Sequence, residues 1–534
     1  MPIAVVLEKT DPREPSITRS LVTLTNTLCT ISEQRCYDQD AQRRALAAID
    51  VCRRKIRPRP LFVQKPEIKR RESNCLTESQ TDMVSRLPTE LYIMIINYIV
   101  DDKHGKSPEQ MKVRARTLQS LASTCRIFQI LCEEYLYTNP RSQRLWKNKE
   151  SQWLLCVALA VEPRRAQAVR LLRCELWLGY FQYQPWLETL ELCTNQTHLE
   201  LAWRHRIARF IMQGMDMGFF LAACPKVTEF KYEAGFDFPS DGLLTATPEQ
   251  MARFSQQYGN FAKQLCHLEV SGSFECIRDI LHYDYANLKS CTLDMDDDGD
   301  EGNMFQELSR HTPGVERLRI EHTENISLQD LEIGCKAWGK TLRSLDINSL
   351  SIRNPEDDIL AHVLPHLTTL EELCLGPRLE VRLSDIHAIA KPDAPRLKAF
   401  RWEVDEAMFR GPFANSGTVN HAIIDILTAH SETLSTFIVD QEFDFWNFGT
   451  DIFKHLHKAK SLESLRVPLH DIPTKEEIQG LITACPKLGK SDARLVVVRE
   501  FLTECTLRTI NYKEDNLEVV ESSWGSVRHP MRWT

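Results

Sequence analysis

The sequence predicts an α/β chain in which a helical module precedes a long stack of strand–helix repeats. Two observations carry this. A phrase of the form L-x-x-L-x-L, with any apolar residue at the L positions, recurs through the later part of the chain at a nearly constant interval. Upstream of it, Leu87 to Val100 reads as a helix that is apolar on nearly every side, so it needs partners on more than one face.

The bulk properties fit a chain of that kind. Its 534 residues are enough for several domains or one elongated repeat domain with attachments. A hydrophobic content of 43% and a charged content of 26% are those of a soluble globular protein, and a net charge of -8 offers no general attraction to nucleic acid. No apolar run reaches the roughly 18 residues of a membrane span, and Met1 to Leu7 is too short and lacks the basic lead of a secretory signal. The expected location is therefore cytoplasmic or nuclear. The 17 cysteines are odd in number and scattered, and Cys125, Cys132, Cys174, Cys291 and Cys374 sit in apolar patterns, as small buried hydrophobes of a reducing compartment do. Cys-x-x-Cys pairs are absent, so neither a metal nor a cofactor is expected.

Residues 1–85 read as an arm, partly disordered, with one helix near Ser32 to Arg54 and a basic, proline-bearing linker over 53–78. Nine Lys or Arg against the single acid Glu67 lie between Arg53 and Arg71, the composition of a solvated arm or of a nuclear address.

Residues 86–140 form the helical module. Pro88 suits a first helical position and Glu90 places a carboxylate in the first turn, where the helix dipole favours it. From Leu91 to Val100 only Asn97 is polar. A second stretch sets Leu118, Leu121, Ala122, Cys125, Phe128, Leu131, Cys132, Tyr135 and Leu136 at helical spacing, enough to cover one face of the first helix. Between them Asp101 to Arg116 reads as a long polar insertion. A unit of about fifty residues cannot bury so much apolar surface alone. Leu87-Pro88-x-Glu90-Leu91, an aliphatic helix and then Leu-x-x-Leu-x-x-Thr-Cys-Arg-x-Phe resemble an F-box, particularly of the fungal kind, although Tyr135-Leu136-Tyr137 stands where many members carry a tryptophan. The resemblance implies docking onto a Skp-type linker protein, and through it onto a cullin ubiquitin ligase. On that basis Leu87, Pro88, Glu90, Leu91, Ile95, Ile99, Leu118, Leu121, Cys125 and Phe128 are the linker-binding candidates.

Residues 141–500 carry the repeats. The phrase begins at Leu288, Val315, Leu342, Leu370, Leu397, Leu434 and Leu462, at intervals of 27, 27, 28, 27, 37 and 28. Less regular copies begin at Val169, Leu187, Val227 and Leu265, and Leu488 begins a degenerate one. Helical patterns fall between them at Met304 to Arg310, Leu328 to Trp338, Asp358 to Leu364, Val419 to His430, Asp451 to His457 and Lys475 to Ala484. This resembles a leucine-rich-repeat solenoid, with parallel strands on a concave side and helices on the convex side. The family's Asn or Cys at the ninth position is missing, since Asp296, Thr323, Leu350, Arg378, Asp405, Glu442 and His470 stand there. The side-chain ladder that residue supplies is not expected. Residues 501–534, with Trp524 and Trp533, are expected to cap the open end.

Within each phrase the third, fifth and seventh positions alternate away from the apolar ones and face solvent. Their mixed charge favours a protein partner over nucleic acid, which calls for a continuous basic stripe. The candidates for target contact are Arg317, Arg319, Glu321, Asp346, Arg401, Glu403, Asp440 and Arg466, with Trp446 from the aromatic loop Gln441 to Phe448. Asp294 to Gly299 matches the opening of a calcium loop, but Phe305 occupies the twelfth position where a bidentate Glu is required, so an acidic loop is expected there. No phosphate-binding glycine loop, nucleophile elbow or metalloprotease helix is present. The expected function is a non-enzymatic substrate adaptor of a ubiquitin ligase. The alternative is a non-catalytic repeat scaffold acting outside ubiquitination.

Overall fold

The computed structural model describes residues 88–100, 108–140, 149–176, 189–203, 221, 223–233, 248–272, 280–295, 303–352, 358–379, 381–404, 416–441, 448, 452–456, 459–468, 474–488, 494–498, 506–513 and 516–523. The expected N-terminal helix and basic linker, Leu87, Trp446, Trp524 and Trp533 lie outside these. The chain divides into two units, one of Met1–Val227 with Pro239–Gln257, the other of Thr228–Phe238 with Tyr258–Thr534.

The first described elements of the first unit are three helices, α1 (Thr89–Val100), α2 (Pro108–Ala122) and α3 (Arg126–Thr138). The two-helix hairpin expected from the sequence is thus corrected to three helices, and the polar segment that read as an insertion supplies the first turns of α2. Pro108 starts that helix for the reason Pro88 starts α1: a missing N–H costs nothing in the first turn. Helix α2 stops because Ser123 Oγ donates to the Ser120 carbonyl and Thr124 Oγ1 to that of Leu121, both at 2.7 Å, an alternative to continuing the helical ladder. The module's core is Tyr92, Ile96, Leu118, Phe128, Cys132 and Leu136, with the Tyr92 and Phe128 rings edge to face at 4.8 Å.

Helices α4 (Lys149–Val161) and α5 (Pro163–Ala168) follow, then parallel strands β1 (Leu171–Leu176) and β2 (His198–Trp203). Buried Glu133 on α3 holds Arg164 and Arg165 on α5, each at 2.6 Å, and the Arg165 guanidinium lies over the Tyr137 ring. The Arg170 N–H bonds the Thr138 carbonyl at 3.0 Å, so α3 is tied to the start of β1.

Strand β2 corrects the sequence reading. Of the copy expected at Leu187, the described residues from Thr189 to Cys193 form no strand; Leu190 is buried within a helical turn. The true phrase is Gln196-x-x-Leu199-x-Leu201, 27 residues after Val169, and the polar but buried Gln196 in its first position concealed it.

In the second unit β3 (Glu229–Glu233) pairs in parallel with β4 (His267–Ser271), and Tyr258 and Phe261, near the end of helix α6 (Pro248–Gln264), are buried there, Phe261 edge to face with Phe230. The order continues through β5 (Ser290–Asp294), α7 (Met304–His311), β6 (Arg317–Glu321), β7 (Thr323–Ile326), α8 (Leu328–Trp338), β8 (Ser344–Ile347), β9 (Leu350–Ile352), α9 (Ile359–Val363), β10 (Glu372–Leu375), α10 (Leu383–Ile389), β11 (Ala399–Val404), α11 (Ser416–His430), β12 (Thr436–Gln441), α12 (Ile452–His455), β13 (Ser464–Pro468), α13 (Lys475–Ala484) and β14 (Arg494–Val498). All main-sheet strands from β3 to β14 pair in parallel, and the register aligns the phrases: Leu268, Cys291, Leu318, Leu345, Leu373, Phe400, Phe437 and Leu465 are mutual neighbours. All of them are buried, as are the residues two further on. A strand with one buried face needs exactly the alternation seen in the sequence, and a solenoid that stacks such strands shares one core between neighbouring turns.

The repeats are bound by a backbone ladder at the second phrase position. Lys289 N–H donates to the Cys266 carbonyl, Glu316 to Lys289, Arg343 to Glu316, Glu371 to Arg343, Lys398 to Glu371, Ser435 to Lys398 and Glu463 to Ser435, all at 2.7–2.9 Å. Side chains of alternating sign follow the same row, as in Lys289–Glu316 at 2.8 Å and Lys398–Glu371 at 2.9 Å. This row supplies the inter-repeat hydrogen bonding that the missing ninth-position Asn does not. Two ninth positions do other work: Thr323 and Leu350 are buried and pair in the small parallel sheet of β7 and β9.

A second device joins the helices. Asp330 in the first turn of α8 accepts the N–H groups of Phe305 and Gln306 at the start of α7, both at 2.8 Å. Asp385 in α10 accepts those of Leu360 and Ala361 in α9, at 2.6 and 3.3 Å. The buried carboxylate of one repeat caps the helix of the repeat before it.

The end of the sheet differs from expectation. Leu488 is buried at a first phrase position, but the strand begins only at Arg494, whose partner is Ser464. The tail then adds β15 (Thr506–Lys513) and β16 (Asn516–Ser523), an antiparallel hairpin on β14. The hairpin takes up the edge of β14 that the parallel stack leaves unpaired.

Candidate interaction surfaces

Two surfaces gather the candidate residues, one in each unit. The first is the outer face of α1. Tyr92 and Ile96 point into the module's core, whereas Leu91 and Ile95 are each 40% exposed, Ile93 41%, Met94 64% and Tyr98 86%. Ile127, Ile130 and Tyr135 of α3 are also exposed, and the Tyr135 hydroxyl donates to Asn97 Oδ1 at 3.0 Å. A helix with apolar side chains on its buried and its open face exceeds what its own fold requires.

The structure sorts the sequence candidates on this surface. Pro88, Glu90, Leu91 and Ile95 are exposed, and Ile99, Leu121 and Cys125 are half-buried. Leu118 and Phe128 belong to the core and have no free face to offer, which corrects their assignment as docking residues. Ile93, Met94 and Tyr98 were missed. The helical wheel signals them, because the wholly apolar run left the inward face undecided until α2 and α3 chose Tyr92 and Ile96.

The second surface is the open face of the main sheet in the second unit, built from third, fifth and seventh phrase positions. The register brings Arg319 beside Asp346 and Ser290 beside Arg317, with Cys374 between Asp346 and Arg401. Arg319 Nη2 meets Glu321 Oε1 at 2.5 Å, and its Nε lies 3.4 Å from Asp346 Oδ2. Arg466 meets Asp440 at 2.8 Å, and Lys231 pairs with Glu269. Burial holds the Asp346 carboxyl above the usual carboxylate range despite the pull of Arg319. The neighbouring Cys374 thiol is pushed up to about 12, first by burial and then by Asp346, so it carries no thiolate at neutral pH.

Arg317 and Arg401 differ from the other arginines. Both are exposed, and neither is in an ion pair within 4 Å among the described residues. Of the sequence-predicted target contacts, Arg319, Glu321, Asp346, Asp440 and Arg466 are therefore spent largely on one another, and Glu403 is half-buried. Of the aromatic side chains of that loop, Phe448 alone is among the described residues, and it is buried.

At the strand ends Asp294, Glu321 and His322 come together, with one ligand-capable atom from each within 4.8 Å of the others. Ser271 Oγ donates to Asp294 Oδ2 at 3.0 Å, and His322 Nδ1 lies 3.2 Å from Asp294 Oδ1. The remaining acids of the loop that read as a calcium opening, from Asp296 on, lie outside the described residues.

No protein-family model matches the chain, and no curated protein matches it. Among solved structures, the leucine-rich repeat-containing protein LegL7 from Legionella pneumophila is similar over 56% of this chain and 93% of that one, at 10% identity and a TM-score of 0.32. The repeat architecture itself stands on the strand register and the backbone ladder of this chain. No helix among the described residues is long and apolar enough to cross a membrane.

Proposed function

We propose that this chain is a non-catalytic adaptor: the helical module docks a Skp-type linker of a cullin ubiquitin ligase, and the open strand face of the repeats holds a target protein. The observation that carries the reading is the outer face of α1, where Leu91, Ile93, Met94, Ile95 and Tyr98 stand in solvent on a helix whose other face is already satisfied. The sequence resemblance to an F-box begins at this helix. Glu133 and its two arginines fasten α3 to α5, so the module has a rigid footing while α1 keeps its outer face. An adaptor of this kind breaks no bonds; it raises the concentration of target near the ligase.

The test is co-purification of the full chain with a Skp-type linker, in the wild type and in Leu91→Asp and Ile95→Asp. Burying these side chains at a docking centre is worth about 2 kcal/mol or more, roughly a 30-fold loss of affinity. Each is already 40% exposed, so the free chain keeps its fold. Recovery of equal linker by wild type and variants, or by neither, overturns the proposal.

A further inference from the structure

We infer that Asp294, Glu321 and His322 form a binding site for a divalent transition-metal cation, zinc being the best fit. The site is independent of the adaptor reading. Its three residues span 28 positions in sequence and follow no zinc-finger spacing, which is why the sequence alone gives no metal. Register assembles them: Asp294 ends β5, its partner Glu321 ends β6, and His322 is the next residue. His322 has φ 43°, the one positive value at a non-glycine among the described residues, and this turn brings its Nδ1 to the Asp294 carboxylate.

The chemistry of the set selects the ion. One imidazole nitrogen and two carboxylate oxygens are the ligands of zinc and its first-row neighbours; calcium takes six to eight oxygens and would gain little from His322. Ligand atoms already within 4.8 Å of one another need only a small contraction to reach bonding distances of about 2.0–2.2 Å from a shared centre. Ser271 Oγ fixes the second oxygen of Asp294, and Arg319 fixes one oxygen of Glu321, the supporting contacts by which ligating carboxylates are oriented. Charge favours occupancy as well. Of the two ligand carboxylates only Glu321 lies within ion-pair distance of a guanidinium among the described residues, that of Arg319, which leaves the charge of Asp294 for a cation to neutralise. The three side chains are between 23% and 39% exposed, so an ion reaches them from solvent and keeps at least one position open.

The experiment is a titration of the full-length reduced chain with Co2+, read by visible absorption. Cobalt bound by nitrogen and oxygen gives d–d bands without the thiolate charge-transfer band that cysteine coordination would add, which separates this site from the chain's many thiols. The expected result is one such Co2+ per chain, displaced by Zn2+. Affinity should fall at least about 10-fold in Asp294→Asn, an isosteric change, and in His322→Gly, which suits the positive φ while removing the ligand. His311→Ala is the control: His311 also sits between two acids, Asp284 at 3.2 Å and Glu307 at 3.7 Å, outside the site, and its loss should leave the titration unchanged. Absence of nitrogen–oxygen bands at millimolar Co2+, or bands unaltered by both site substitutions, overturns the inference.

Discussion

Replacing Asp330 with Ala should destabilise the repeats around α7 by about 2 kcal/mol. Helix α7 has no capping side chain of its own, since Asn303 makes no such bond, and the Asp330 carboxylate takes its place from the next repeat. Ala leaves the N–H groups of Phe305 and Gln306 without that acceptor in a site where Asp330 is 3% exposed. Each buried, unpaired N–H costs roughly 1–3 kcal/mol. Part of that is returned, because burial holds the Asp330 carboxyl above its ordinary range, and removing the group removes the cost of desolvating it. Asn keeps one acceptor and should lose about half as much. Repeat stacks couple mainly to their neighbours, so the readout is hydrogen exchange of the α7 amides, which should quicken roughly 30-fold in Asp330→Ala. Exchange within about twofold of wild type, or equal effects of Ala and Asn, would refute the capping account.

Three further outcomes follow from the structure. Gly376→Ala should cost about 1–3 kcal/mol in chemical unfolding, because a Cβ there would lie 2.2–2.5 Å from Asn348 while the Gly376 N–H is held by Ile347; a change under about 0.5 kcal/mol would show that this contact yields. Glu133→Ala strands Arg165 in a buried position and should cost about 3–5 kcal/mol, seen as early melting of the helical signal. His430 accepts the Leu397 N–H at Nδ1 and bonds the Ile389 carbonyl through Nε2, which requires the neutral ring, and burial lowers its pKa. Its contribution is therefore present above the unfolded value near 6.5 and is lost as pH falls through the lower folded value, so melting temperatures at about pH 7.5 and about pH 5 should differ more in wild type than in His430→Gln.

The fold was legible where one residue type at one spacing decides the outcome. The apolar phrase gave β1 and the main-sheet strands from β3 to β13, though not β7 and β9, and the patterns at Leu328–Trp338 and Lys475–Ala484 became helices with those bounds. It failed where a position tolerates substitution. Gln196 fills a first position by bonding its side chain to the His198 carbonyl, so a strand went unread, while the copy expected at Leu187 has its Leu190 in a helical turn. The start of α2 was hidden because its first turns are polar, and periodicity is silent there. Interaction surfaces were half legible. Apolar excess on α1 is a property of composition, but whether Ile95 or Ile96 faces out depends on α2 and α3. Likewise the arginines on the sheet could be placed on its open face from alternation alone, whereas which of them, such as Arg319 and Arg466, are held in ion pairs depends on neighbours across the register.

The most direct test of the central claim is hydrogen–deuterium exchange of the full chain with and without a purified Skp-type linker. The account predicts new protection in the peptides covering Leu91 to Tyr98 and the exposed residues Ile127 and Ile130, with the strands from β4 to β13 unchanged. Protection confined to those strands, or none anywhere at saturating linker, would contradict it.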